Sequence, residues 1–257
     1  ASGINLNANG AGYIGVMALA FELFLYYRDQ KRLHLLWLTL IFLGIFVTFS
    51  KSAYAMALGV IALFAYYSLS LARRGKRIFQ ILGLSILLGL LGYFINDSLL
   101  LTGVQQGRIK QFGALLSGEI TTESTTNRLD LAQVGWRKIS ESPLMGNGFK
   151  EMSKMQSNTG GVHNQYLLLW GEAGLFAMLA FVYLLVNYAR KAACLPRDYR
   201  FLLHSLLFAV GFYSLTNHNM YSSKSLMLIL AFMALVLNQY KYVRHFRPAG
   251  NRPQLKH

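Results

Sequence analysis

The sequence predicts an all-α protein: a polytopic transmembrane helix bundle that carries one large, partly helical loop. Three observations predict it. Apolar residues make up 54% of the 257 residues, with a mean hydropathy of +0.36, above what an ordinary soluble domain carries. They fall in blocks of roughly 17–25 residues, the length needed to cross a hydrocarbon core of about 30 Å. Basic residues gather in every second connection between those blocks, the pattern left by the positive-inside rule.

The spans are expected near 11–27, 33–50, 52–71, 78–95, 166–187, 201–217 and 225–240. Residues 1–95 would then hold the first four, 96–165 an outer loop, 166–240 the last three, and 241–257 a basic tail. The opening Ala1-Ser-Gly lacks a methionine and a leader pattern, so the sequence is expected to be the C-terminal part of a longer protein with further spans ahead of it.

Arg28–Arg32, Arg73–Arg77, Arg190–Arg200 and the tail from Lys241 together hold sixteen of the 25 Lys and Arg residues, while the short opposite connections carry Lys51 and Lys224. The sixteen belong on the cytoplasmic side, which puts the N-terminal stretch, the Lys51 turn and the loop 96–165 on the other. A net charge of +15 suggests nucleic acid in a soluble protein. Here the charge lies between apolar blocks and reads as topogenic, so nucleic acid is not an expected partner and the lipid bilayer is. Cys194 is the single cysteine, which excludes an intrachain disulfide and a multi-cysteine metal site.

The long loop is poor in Pro and Ser and is expected to fold against the membrane. Its clearest element is a helix from about Asn127 to Ser140, with Leu129, Ala132, Trp136 and Ile139 along one side. Thr126 or Asn127 can cap its start, and Pro143 follows its end. Pro143-Leu-Met-Gly-Asn-Gly148 reads as a turn, and Gly160-Gly161 as a joint leading into the fifth span.

Several residues on the outer side can carry chemistry, and each has a plainer alternative. Asn5, Asn7 and Asn9 can bond a sugar or cap the first span. Lys51, in Thr48-Phe-Ser-Lys-Ser52, either snorkels to the interface or holds a phosphate. Arg128, expected in the first turn of the loop helix, opposes the positive end of the macrodipole unless an anion binds there. The alternative is a salt bridge with Glu119 or Glu123. His163 stands at the start of the fifth span, where a helix N-terminus favours the neutral imidazole and thus a proton acceptor; it can equally be a structural histidine. Glu172 lies deeper in apolar surroundings and must be protonated, paired or facing a polar cavity, and Glu22 in the first span raises the same question. HExxH, paired-cysteine, DxD and P-loop patterns are missing from the sequence. Chemistry would run on cations and hydrogen bonds, which suits a substrate that already carries a good leaving group.

Four stretches, in order, resemble the O-antigen ligase and polymerase family of polytopic bacterial inner-membrane glycosyltransferases of the GT-C type. They are Asn5-Leu-Asn-Ala-Asn-Gly10, Thr48-Phe-Ser-Lys-Ser52, Arg128 through Trp136 to Pro143–Gly148, and His163-Asn-Gln-Tyr-Leu167 with Glu172 and Gly174. The resemblance implies an inverting transfer, without metal or cofactor, of a glycan from undecaprenyl pyrophosphate to an acceptor hydroxyl at the periplasmic face. The acceptor is lipid A-core in a ligase and another lipid-linked glycan in a polymerase. It further implies that Lys51 and Arg128 hold the pyrophosphate, that Asn164 and Glu172 line the substrate site, and that His163 assists the acceptor. The family usually has arginine where this chain has Lys51, which keeps the charge and loses the bidentate fork. A lipid-linked glycan transporter is the competing reading, but its ionisable groups would run through several spans rather than gather at one face.

Overall fold

The computed structural model describes residues 8–48, 50–68, 83, 122–154, 164–217 and 224–246. They form helices and turns, with no strand among the described residues. The helices are α1 (Ala8–Asp29), α2 (Leu33–Val47), α3 (Lys51–Ser68), α4 (Thr122–Glu141), the single turn α5 (Glu151–Lys154), α6 (Gln165–Ala193), α7 (Arg197–Thr216) and α8 (Lys224–Phe246).

Six of the seven expected spans coincide with a helix, and the seventh, 78–95, lies outside the described residues apart from Gly83. Among the described residues two helices, α1 and α6, are long and apolar enough to cross a membrane. The others fall short of that for separate reasons. α2 stops at Val47 because Thr48 turns the chain, its hydroxyl and its amide both donating to the Ile45 carbonyl, at 2.6 and 3.2 Å. In α8 the apolar stretch is confined to Met227–Tyr240. α3 and α7 have the length but are diluted by Lys51, Tyr54 and Ser68, and by Arg197, Asp198, Arg200 and His204.

α1 is the central strut. Tyr13, Val16, Leu19, Ala20 and Leu23 on it are buried among α2, α3 and α7. α7 runs antiparallel to α1: the Tyr13 and Tyr213 rings meet at a tilt, 4.3 Å apart, near one end, and Phe24 meets Tyr199 at the other. α3 is also antiparallel to α7, with Phe64 on Phe201 and the Tyr67 hydroxyl 2.5 Å from His204 Nδ1. Between them Gly59 permits the contact, since a Cβ there would lie 2.1 Å from the Phe208 ring. A small residue of this kind lets two helices approach closely. α6 pairs antiparallel with α7 through Tyr166 to the Gly211 carbonyl and His204 Nε2 to the Ala189 carbonyl.

This arrangement sorts the polar groups by end. The starts of α1, α3 and α6 and the end of α7 share one end; Arg28, Arg190, Arg197 and Arg200 lie at the other, where Arg28 reaches Asp198 at 4.0 Å. Glu22, left without a partner by the sequence, pairs with His34 at 2.7 Å in a half-buried contact that ties α1 to α2.

Candidate functional site

Asn9 and the Thr48–Ser52 stretch, apart in sequence, meet in space. Ser50 is buried and caps α3: its hydroxyl accepts from the Ala53 amide at 3.3 Å and donates to Asn9 Oδ1 at 2.8 Å. Ser52 Oγ lies 3.0 Å from the same hydroxyl. Gly12 lets α1 come this close, because a Cβ on it would sit 2.4 Å from Ala53 Cβ and 3.2 Å from Thr48 Oγ1. Lys51 follows the cap as the first residue of α3 and is exposed. Its ammonium therefore stands at the edge of a corner that two polar motifs build together.

The second cluster joins the Pro143–Gly148 turn to α6. The α6 helix breaks at Gly174, whose backbone is left-handed at φ +85°. The break strands the carbonyls of Gly171 and Glu172 and the amide of Leu175. The turn satisfies all three: the Asn147 amide donates to Gly171 O at 2.8 Å, the Gly148 amide to Glu172 O at 3.0 Å, and Leu175 N–H to Pro143 O at 3.1 Å. Trp170 Nε1 also donates to the Pro143 carbonyl, at 2.8 Å. The Asn147 side-chain amide bridges the Lys138 carbonyl of α4 and the Gly171 carbonyl of α6, at 2.9 and 3.1 Å. No side chain fits at the seam, since a Cβ at Gly174 would fall 2.1 Å from Leu144 O and one at Gly146 2.5 Å from Glu172 O.

Glu172 meets Lys150. Its carboxyl group takes a hydrogen bond from the Lys150 amide and lies near the Lys150 side chain, and Lys150 itself holds a left-handed backbone at φ +66°. Asn164 is the N-cap of α6, its Oδ1 accepting from the amides of Tyr166 and Leu167 at 2.9 and 3.2 Å. That oxygen is occupied by the helix, which leaves its amide group as the part of Asn164 that can address a substrate.

Arg128 differs from expectation in its helix position. α4 begins at Thr122 instead of about Asn127, so Thr126 and Asn127 lie inside the helix and Arg128 sits in its second turn. The unbonded amides of the first turn belong to Thr122–Thr125. Arg128 therefore follows the free N–H groups of the first turn instead of standing among them. The other end of α4 matches, with Ile139 buried and Trp136 edge-on to Trp170 at 5.4 Å. His163 lies outside the described residues, as do Asn5, Asn7 and the Gly160-Gly161 joint; His163 directly precedes Asn164 in the chain.

Sequence reasoning missed Asn147 as a bridge, Lys150 as the partner of Glu172, and the buried polar residues Gln165 and Asn217 at the same end. The asparagine between two glycines was a usable signal for the first.

Among its described residues the chain is all-helical, with the Asn9–Ser52 corner and the start of α6 at one end of the helices and Arg28, Arg190, Arg197 and Arg200 at the other. The O-antigen ligase family matches residues 36–182, more than half of the chain and three of its four motifs, and the protein belongs to that family. No curated protein and no solved structure matches it. Members of the family are membrane-associated, glycosyltransferase-like ligases and polymerases of the bacterial inner membrane, which act on lipid-linked glycans and glycan acceptors.

Proposed function

We propose that this protein is a multi-pass inner-membrane glycosyltransferase that moves a glycan from undecaprenyl pyrophosphate to a hydroxyl of lipid A-core at the periplasmic face. The observation that carries the reading is the sorting of polar groups. The Asn9–Ser50 corner with Lys51, and the capped start of α6 just after His163, share the end opposite Arg28, Arg190, Arg197 and Arg200. The positive-inside rule assigns that end to the periplasm.

In this reading the lipid pyrophosphate lies at the outer interface with Lys51 and Arg128 on its oxygens. The acceptor hydroxyl oxygen attacks the anomeric carbon from the face opposite the pyrophosphate, and the bond to the phosphate oxygen breaks with its electron pair. Charge growing on the departing pyrophosphate is stabilised by the two cations, an electrostatic contribution to catalysis. The hydroxyl proton passes to His163, and the configuration at the anomeric carbon inverts. Asn164, through its amide group, and Glu172 line the substrate site in this reading.

The test is transfer in vitro by the purified protein, with lipid A-core and a second lipid-linked glycan offered separately. Glycan on lipid A-core supports the ligase reading, and elongation of the lipid-linked glycan would make the enzyme a polymerase. Arg128→Ala should abolish either product while the protein stays folded, and His163→Gln should lower turnover by roughly 10²–10⁴-fold. Full activity in Arg128→Ala would refute the pyrophosphate assignment.

A further inference from the structure

The turn between α4 and α5 carries an apolar cluster that the described fold leaves uncovered. Leu144 is 53% exposed, Met145 80% and Phe149 77%, all in a segment otherwise organised by backbone hydrogen bonds. A single exposed apolar side chain needs no explanation, but a contiguous group does.

Its position says what covers it. The turn is seated on α6 at Gly171–Leu175, and just past this seat α6 exposes Phe176, Leu179 and Tyr183. That face belongs to a helix long and apolar enough to cross a bilayer, so the turn continues an outward apolar surface. From Leu175 to Arg190 the helix runs about 24 Å at 1.5 Å per residue, against a hydrocarbon core of about 30 Å. With Arg190 in one headgroup layer, the Gly174 break falls within about one helical turn of the other. Trp136 and Trp170 form their edge-to-face pair beside the break, as indoles do in the aromatic belt of a membrane interface. Arg137, exposed next to Trp136, supplies a cation suited to lipid phosphate.

We propose that the Leu144–Phe149 turn is a membrane-interface anchor, with Leu144, Met145 and Phe149 inserted among the acyl chains of the outer leaflet. The inference rests on α6 spanning the bilayer. Anchored this way, the turn fixes the depth of the α4 end that Asn147 ties to α6.

The experiment places an environment-sensitive fluorophore on single cysteines in a Cys194→Ser background of the full chain, reconstituted in phosphatidylethanolamine–phosphatidylglycerol vesicles. Labels go on Met145→Cys, Phe149→Cys, Ser140→Cys and Tyr183→Cys, all at exposed positions, so no packing is lost. Quenching by lipids brominated along the acyl chain is compared with quenching by aqueous iodide. Labels at 145 and 149 should be quenched several-fold more by brominated lipid than by iodide, and the label at 140 should show the reverse. Iodide quenching at 145 and 149 equal to that at 140 overturns the anchor, as does protection from both quenchers, which would mean that protein covers the turn. The label at 183 separates the two layers of the argument. If brominated lipid quenches it while 145 and 149 meet iodide, the anchor alone fails; if it does not, the spanning reading fails and takes the anchor with it.

Discussion

The corner at Asn9 and Ser50 and the seam at Pro143–Gly148 both close a break between helices, but with opposite materials. At the corner, side chains do the work: the Ser50 hydroxyl caps α3 and reaches Asn9. At the seam, backbone from one segment replaces the backbone that the Gly174 break removes from another, and what the site requires is missing side chains at Gly146 and Gly174. Apart from Gly12, which must stay bare to admit α1, a corner built from hydroxyls can lose one group and keep its shape. A seam built from close backbone contact tolerates no added atom, because interiors pack at crystal-like density and a new Cβ must displace main chain.

The largest effect is therefore expected from Gly174→Ala. The alanine must hold φ near +85° and push its Cβ into the Leu144 carbonyl, which together cost roughly 3 kcal/mol or more. The turn should leave α6, seen as a lowered unfolding temperature in detergent and early protease cleavage near Phe149. Stability within about 0.5 kcal/mol of the parent would show that the seam is looser than described, and the contrast with the corner would go.

Asn147→Ala keeps the backbone of the seam and removes only the bridge between Lys138 O and Gly171 O. Losing a hydrogen-bonding side chain there should cost about 1–3 kcal/mol. Because the bridge joins the end of α4 to α6, transfer should fall further than stability accounts for, with kcat affected more than the donor KM. A loss confined to stability would make Asn147 a fastener without influence on the site.

Ser50→Ala tests the corner from the other side. Removing an N-cap hydroxyl costs about 1 kcal/mol, and the contact to Asn9 goes with it. Ser50→Thr should recover most of the loss, since the hydroxyl is kept. A threonine as damaging as alanine would mean that shape, rather than hydrogen bonding, rules here as it does at the seam.

What the sequence reveals divides along the same line. The bounds of α1, α2, α3 and α7 follow from blocks of apolar residues and fall within a few positions of the helices observed, whereas α6 runs on to Ala193, past the expected end at 187. The start of α4 does not, because Thr122-Glu-Ser-Thr-Thr126 presents no apolar repeat and favours caps as much as helix. Gly174 stands in a long apolar stretch, where a lone glycine is tolerated without breaking a helix; only the turn docked against it reveals the break. Glu22 shows its cost in the sequence but not its partner, since His34 joins it from the next helix. Long-range pairings of this kind leave no local pattern. The corner was half legible: Asn9 and Ser50–Ser52 stand out as polar residues at span ends, while their contact depends on Gly12 admitting α1 to the turn.

The smallest effect, and the most informative about the site, is expected from Lys51→Arg. Lys51 is the first residue of α3, exposed beside the Ser50 cap, where a cation meets the positive end of the helix dipole at a cost of about 0.3–1 kcal/mol. Arginine bears the same cost, so stability should stay within about 0.5 kcal/mol of the parent and the comparison isolates head-group geometry. If a pyrophosphate is the ligand, the guanidinium fork adds a second parallel hydrogen bond where the ammonium acts as a point charge. The donor KM should then fall by a few-fold while kcat changes little. Lys51→Ala supplies the opposite limit: it relieves the dipole conflict and should hold or slightly raise stability while the donor KM rises at least tenfold. A donor KM unchanged in both variants would leave Lys51 as a snorkelling residue at the membrane edge, and the corner it borders would then be a structural joint rather than part of the donor site.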